Sequence, residues 1–289
     1  MNHVPTQSPE CSGPQSQPHA GAQPAEDHVL SERMQRIGRR LFVLSGKGGV
    51  GKSTVAVNLA VALARRGRRV GLLDVDVHGP SIPTLLGLAG RRMLGRGETL
   101  LPLEAMAGLK VVSLGLLTDS PSDAVVWRGP RKNSAIRQLL RDVDWGDLDE
   151  LVVDCPPGTG DEPLGVVQLS GRPGLAVVVT TPQEVAVADV RRCLTFCRLL
   201  DLPIAGIVEN MSGMVCPHCG QTFALFGEGG GERLAREAGV PLLGRIPLDP
   251  AIGKGGDAGL PFASQEGDSP THTAFKVVLD ALLSVPASA

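Results

Sequence analysis

The sequence predicts an α/β fold: a mostly parallel sheet with helices on both faces. Three observations predict it. Short apolar runs of strand length, at residues 41–44, 70–73, 109–117, 151–154, 175–180, 204–208 and 242–246, alternate with helix-period stretches. The earliest run opens into a glycine-rich loop that leads straight into a helix. Several later runs end on aspartate or asparagine, at the strand ends where α/β sheets bind ligands. At 289 residues the chain is long for one domain but suits a single layered α/β structure.

The stretch 41–54 reads L-F-V-L-S-G-K-G-G-V-G-K-S-T. Residues 41–44 form a buried strand, and the helix at 55–66 ends at Arg65, Arg66 and Gly67, a composition that suits a helix C-terminus. Between them Gly46, Gly51, Lys52 and Ser53 satisfy G-x-x-x-x-G-K-[ST]. A polyphosphate is held mainly by backbone N–H groups. Glycines at 46, 48, 49 and 51 let those groups converge, with Val50 between them, and Thr54 leads into the helix, which adds the positive end of its dipole. Lys52 then reaches the β- and γ-phosphates, and the Ser53 hydroxyl joins a Mg²⁺ shell. The loop implies a nucleoside triphosphate.

A second lysine, Lys47, follows the first glycine. With it, K-G-G-V-G-K-S-T resembles the deviant Walker A (SIMIBI) P-loop NTPases: the nitrogenase iron protein, ParA/MinD-type and arsenite-pump ATPases, and the Mrp/ApbC-type iron–sulfur carriers. The resemblance implies that Lys47 contacts phosphate across a dimer interface. Otherwise it is a solvated loop lysine.

Composition bounds the rest. Lys and Arg number 28 against 30 Asp and Glu, so no general nucleic-acid or membrane electrostatics is implied. Two Trp, six Phe and no Tyr leave few platforms for stacking bases. Residues 1–38 begin rich in Pro, Gln, Ser, His and Ala and read as a disordered leader, with residues 39–289 as the ATPase domain. No apolar run approaches a membrane span, and the expected location is the cytoplasm. Cysteines there are reduced. Cys155, Cys193 and Cys197 read as small core residues, and Cys11 stands alone in the leader.

The second strand closes on Asp74-Val75-Asp76. Two carboxylates there suit metal and water placement. By the resemblance Asp76 orients or activates the attacking water and Asp74 supports the Mg²⁺ shell, though either can be structural. His78 reads as a locally hydrogen-bonded loop residue. Residues 89–108 read as an excursion around the sheet, and a helix is expected at 131–141. The run 151–154 places Asp154 as the Walker B carboxylate for Mg²⁺. The following C-P-P-G-T-G-D-E resembles the family's second switch. Asn210 either matches an adenine edge, as the resemblance implies, or caps a strand–loop turn.

Cys216-Pro217-His218-Cys219-Gly220 interrupts the α/β rhythm within an insertion at about 211–226. Its C-x-x-C spacing can bite one metal but supplies two of four tetrahedral ligands, and the sequence has no second such pair. Two chains about a two-fold axis would give Cys₄, enough for a [4Fe–4S] cluster or Zn²⁺. A redox dithiol is the third reading. The run E-N-M-S-G-M-V-C-P-H-C-G, with F-G-E-G-G-G after it, resembles the Mrp/ApbC (Mrp/NBP35-type) carriers, as does W-R-G-P at 127–130. This implies a slow homodimeric ATPase that carries a bridging [4Fe–4S] cluster to apo iron–sulfur proteins, using ATP and Mg²⁺, with no nucleic-acid or membrane partner. The alternatives are a ParA/MinD-like positioning ATPase and a zinc-bridged regulatory dimer. Eukaryotic relatives often carry four N-terminal cysteines; with Cys11 alone, no second stable cluster is expected.

Overall fold

The computed structural model describes residues 23–76, 79–97, 99–117, 129–216 and 219–286, and their side chains except at 23–27 and 129–132. His78, Cys11, Pro217, His218, and Trp127 and Arg128 of the W-R-G-P stretch lie outside them. The chain opens with α1 (Gln23–Gln35), β1 (Ile37–Ser45), α2 (Lys52–Arg65), β2 (Val70–Asp74) and a short α3 (Ile82–Leu85). Three brief strands follow, β3 (Leu94–Arg96), β4 (Thr99–Leu101) and β5 (Leu103–Met106), before β6 (Leu109–Ser113). Then come α4 (Gly129–Asp142), β7 (Leu148–Asp154), α5 (Asp161–Ser170), β8 (Gly174–Thr180), α6 (Glu184–Leu199) and β9 (Ile204–Asn210). The small hairpin β10 (Met214–Val215) and β11 (Thr222–Phe223) precedes α7 (Gly230–Ala238), β12 (Leu242–Ile246), α8 (Pro250–Asp257) and α9 (Pro270–Ser284).

Eight strands form one sheet in the order β12-β9-β8-β1-β7-β2-β6-β5. Every pairing is parallel except β5 with β6 at the edge. Successive strand side chains point to opposite faces, yet β8 is buried at every position and β7 nearly so. Helices therefore cover both faces, as the apolar runs predict. The excursion expected at 89–108 contains the β3–β4 hairpin and the antiparallel edge strand β5, which shifts register between Glu104 and Met106.

Two differences from the sequence reading have physical causes. β1 begins at Ile37, not Leu41, because its two arginines are buried with partners. Arg39 donates to Glu150 Oε1 at 3.2 Å, its register partner on β7. Arg40 donates to the Arg172 carbonyl at 3.1 Å and to the Met34 carbonyl. That second contact belongs to the other difference. Residues expected as disordered leader form α1 at 23–35, which buries Leu30 and Met34 in the core. Few apolar residues mark this helix, so its polar face masks the two that anchor it.

Candidate functional site

The loop after β1 is built by close approach and by left-handed backbone. A Cβ at Gly46 would lie 2.3 Å from the Asp189 carbonyl carbon, so α6 packs flush against the loop's start. Gly49 and Gly51 both sit at φ +81°, a region that favours glycine. Gly48 and Gly49 are exposed, with open space around them, and Val50 is buried. Ser45 Oγ donates to the Lys47 carbonyl at 3.0 Å and ties the turn to the strand. Lys47 is half-buried, and α2 starts at Lys52. The resulting cradle, about 250 Å³, is lined by Lys47, Gly48, Lys52, Ser53, Thr54 and Asp76 among others.

Lys52 is buried, with Nζ 2.5 Å from Asp154 Oδ1 and 3.4 Å from Ser53 Oγ. Asp154 pairs in register with Asp74 across β2 and β7, so two buried carboxylates stand side by side. Burial drives the Asp74 carboxyl up to about 8, and the Asp154 charge adds to that. Hydrogen bonds to Asp74 from Ser113 Oγ at 2.9 Å and the Asp76 N–H at 3.1 Å oppose the rise. Burial also raises Asp154, against the pull of Lys52. The loop after β7 is tied to the phosphate loop's strand: the Gly158 N–H donates to the Ser45 carbonyl at 2.9 Å, and α5 follows.

Asn210, at the end of β9, is buried, and its amide donates to the Val50 carbonyl at 2.9 Å. It lies so close that a Cβ at Gly51 would come 2.3 Å from Nδ2. The hairpin β10–β11 leaves from the same strand end. Cys216 is half-buried and Cys219 exposed, neither in a disulfide. The Cys216 N–H donates to the Gln221 carbonyl and the Gly220 N–H to the Cys216 carbonyl, both at 2.9 Å, which closes the knuckle. Cys155, Cys193 and Cys197 are fully buried, matching their reading as core residues. Burial pushes the Cys155 thiol up, while a hydrogen bond with Cys197, then burial, raises Cys193. Neither has the exposed thiolate character of a ligand or nucleophile.

A parallel sheet with a two-lysine phosphate loop at the end of its central strand defines the chain as a P-loop NTPase of the deviant Walker A class. Over residues 36–283 it matches the ParA family described as NUBPL iron-transfer P-loop NTPases, and it belongs to that family. The human cytosolic Fe-S cluster assembly factor NUBP2 is 49% identical over 247 residues, covering 84% of this chain and 91% of that protein. The iron-sulfur cluster carrier protein of Methanocaldococcus jannaschii is 48% identical over 237 residues, 82% of either chain. Among solved structures, the nucleotide-binding protein from Archaeoglobus fulgidus in complex with ADP superposes with a TM-score of 0.74 at 40% identity, over 86% of this chain and 96% of that one. The Pyrococcus furiosus cell division ATPase MinD gives 0.58 at 27% identity, over 85% and 98%.

Sequence reasoning placed the loop, the aspartates, Asn210 and the cysteine pair, but missed their supports. Ser113 holds Asp74, and the α6 backbone at Asp189 braces Gly46. Ser113 follows an apolar run, as the aspartates do, which was the available signal. Nothing in the sequence marks the Asp189 backbone.

Proposed function

We propose that this chain is an ATP-hydrolysing carrier that holds an iron–sulfur cluster between Cys216 and Cys219 of two copies and passes it to apoproteins. The observation that carries this reading is a thiol pair, Cys216 half-buried and Cys219 exposed, on a hairpin growing from the strand whose last residue touches the phosphate loop. Among the described residues no group of three or more His, Cys, Asp and Glu side chains could hold a metal within one chain. Two chains supply four thiolates, a complete set for [4Fe–4S] cargo.

In the cradle, backbone N–H groups of residues 48–54 bind the phosphates and Lys52 neutralises the β- and γ-phosphate oxygens, exchanging its contact with Asp154. The donor set fits Mg²⁺: Asp154 Oδ2 is buried without a partner and the Ser53 hydroxyl lies at the same end of the cradle. Bound by these two, Mg²⁺ would neutralise charge on the β- and γ-phosphates. Asp76 lines the cradle and orients the attacking water, with Asp74 behind it. Lys47 acts from the partner copy, so hydrolysis waits on dimer closure. Asn210 serves the loop and, through its remaining acceptor, the adenine edge. No helix among the described residues is long and apolar enough to cross a membrane. The name of the human relative, a cytosolic assembly factor, supports placing the carrier in the cytoplasm.

Anaerobic reconstitution followed by iron, sulfide and zinc analysis tests the cargo. The expected result is one [4Fe–4S] cluster per two chains, lost in Cys216→Ser. Stoichiometric zinc in place of iron would favour the regulatory dimer. Iron-free protein that still matches a Cys216→Ser variant in transfer assays would end the carrier reading.

A further inference from the structure

β9 ends on two adjacent polar residues whose side chains leave the strand in opposite directions. Asn210 reaches the phosphate loop at Val50. Glu209, fully buried, reaches the other way. Its Oε1 accepts from Ser212 Oγ at 2.6 Å, its Oε2 from the Gly231 N–H at 2.5 Å in the opening turn of α7, and Arg245 Nε of β12 stands 3.7 Å from Oε1. Ser212 begins the hairpin's stem. Its N–H donates to the Ile246 carbonyl at 2.9 Å, and the Leu248 N–H donates to the Gly213 carbonyl at 2.7 Å. β10 and Cys216 follow directly.

We propose that Glu209 is a positioning residue that couples nucleotide in the phosphate loop to the exposure of Cys216 and Cys219. A buried carboxylate cannot shed its donors without a large desolvation penalty. When the loop tightens on phosphate and moves Asn210, the end of β9 moves with it. Glu209 then carries Ser212, and so the base of the hairpin, along with it. The link is one short rigid element with named partners at both ends, so removing one hydrogen bond tests it. The consequence for cargo rests on the carrier reading above. The movement itself does not, and needs no cluster to observe.

The experiment follows thiol labelling by Ellman's reagent in the cluster-free full chain carrying Cys11→Ser. In that chain the buried Cys155, Cys193 and Cys197 react slowly and the hairpin pair reacts fast. Mg·ATP should change the fast rate by about five-fold or more. Ser212→Ala and Glu209→Gln should each reduce that change to under about two-fold, while ATP affinity by calorimetry stays within about two-fold of the parent. Ser212→Thr, which keeps the hydroxyl, should restore the effect. A purely structural Glu209 would alter labelling equally with and without nucleotide. An undiminished response in Ser212→Ala, or a parent whose fast rate ignores nucleotide, overturns the proposal. If Glu209→Gln fails to fold, Ser212→Ala at its half-buried position decides alone. Failed reconstitution of the parent would sink the cargo reading and leave this result standing.

Discussion

Lys52 and Asp154 are each other's nearest charged partner, and the pair is almost sealed from solvent. Lys52→Ala therefore removes the cation that phosphate needs and strands a buried carboxylate. ATP affinity should fall about 100-fold, the worth of one strong charge-assisted hydrogen bond. Calorimetry with Mg·ATP checks this, and an affinity within a few-fold of the parent would remove Lys52 from the site. Asp74 gives a pH signature instead. Its folded carboxyl sits at about 8, far above its ordinary 3.8, because burial and Asp154 disfavour its charge. A raised pKa means that the folded chain keeps a proton the unfolded chain has released. The stability Asp74 contributes is complete below about pH 4, declines as pH rises, and is gone above about 8. Asp74→Asn lacks that slope, up to about 1.4 kcal/mol per pH unit. Urea midpoints from pH 5 to 9, without nucleotide or Mg²⁺, should show the variant gaining on the parent as pH rises. Parallel profiles would contradict the buried pair.

At the scale of elements, α1 should behave as part of the folded domain. Leu30→Ala or Met34→Ala should cost about 2–5 kcal/mol, because each empties a core position. A change below about 0.5 kcal/mol in urea unfolding would return α1 to the leader. The hairpin should behave in the opposite manner. Cys216→Ser should lose reconstituted iron and keep ATP affinity, whereas Cys193→Ser should keep the iron and lose stability. Visible absorption and a nucleotide titration separate these outcomes. How far such elements were legible follows from what each one hides. Short apolar runs at 151–153, 175–179 and 204–208 announced β7, β8 and β9, since the stretch of a strand that is covered on both faces has little polar to show. β1 concealed its first half behind Arg39 and Arg40, whose partners lie on distant elements. α5 and α8 escaped because Pro163 and Gly165 in the one, and three glycines in the other, imitate loops. Pro163 is harmless in an opening turn that lacks an intrahelical acceptor, and tertiary packing outweighs the glycine cost. The phosphate loop's own course was legible because glycine spacing writes backbone geometry into sequence, whereas the Asp189 backbone that braces Gly46 was not. The Glu209 relay was half legible: its position at a strand end was visible, its partners were not.

For the whole molecule, one chain holds half of what its proposed activity requires. In that proposal the cysteine pair and Lys47 both call on a second copy. Lys47→Ala should therefore bind nucleotide but not hydrolyse it, and mixing it with Asp76→Ala subunits should restore activity. In a mixed dimer one cradle receives an intact Lys47 from its partner and keeps its own Asp76. Phosphate release that stays absent at every mixing ratio would show that Lys47 works within its own chain. The sheet order carries a last consequence, one of timing. β1, which bears the phosphate loop, is the fourth strand across but the earliest made, and its neighbours come late. Arg39 meets Glu150 111 residues downstream, and Arg40 meets Arg172 132 residues downstream. At about 5–20 residues per second of synthesis, roughly 6–25 s pass before the strand has both neighbours. During that interval a bare Leu-Phe-Val-Leu segment is outside the ribosome with nothing to pair against. The position that braces β1 on both sides in the finished protein leaves it waiting longest for its neighbours in the nascent one, an apolar stretch for a holding chaperone to cover.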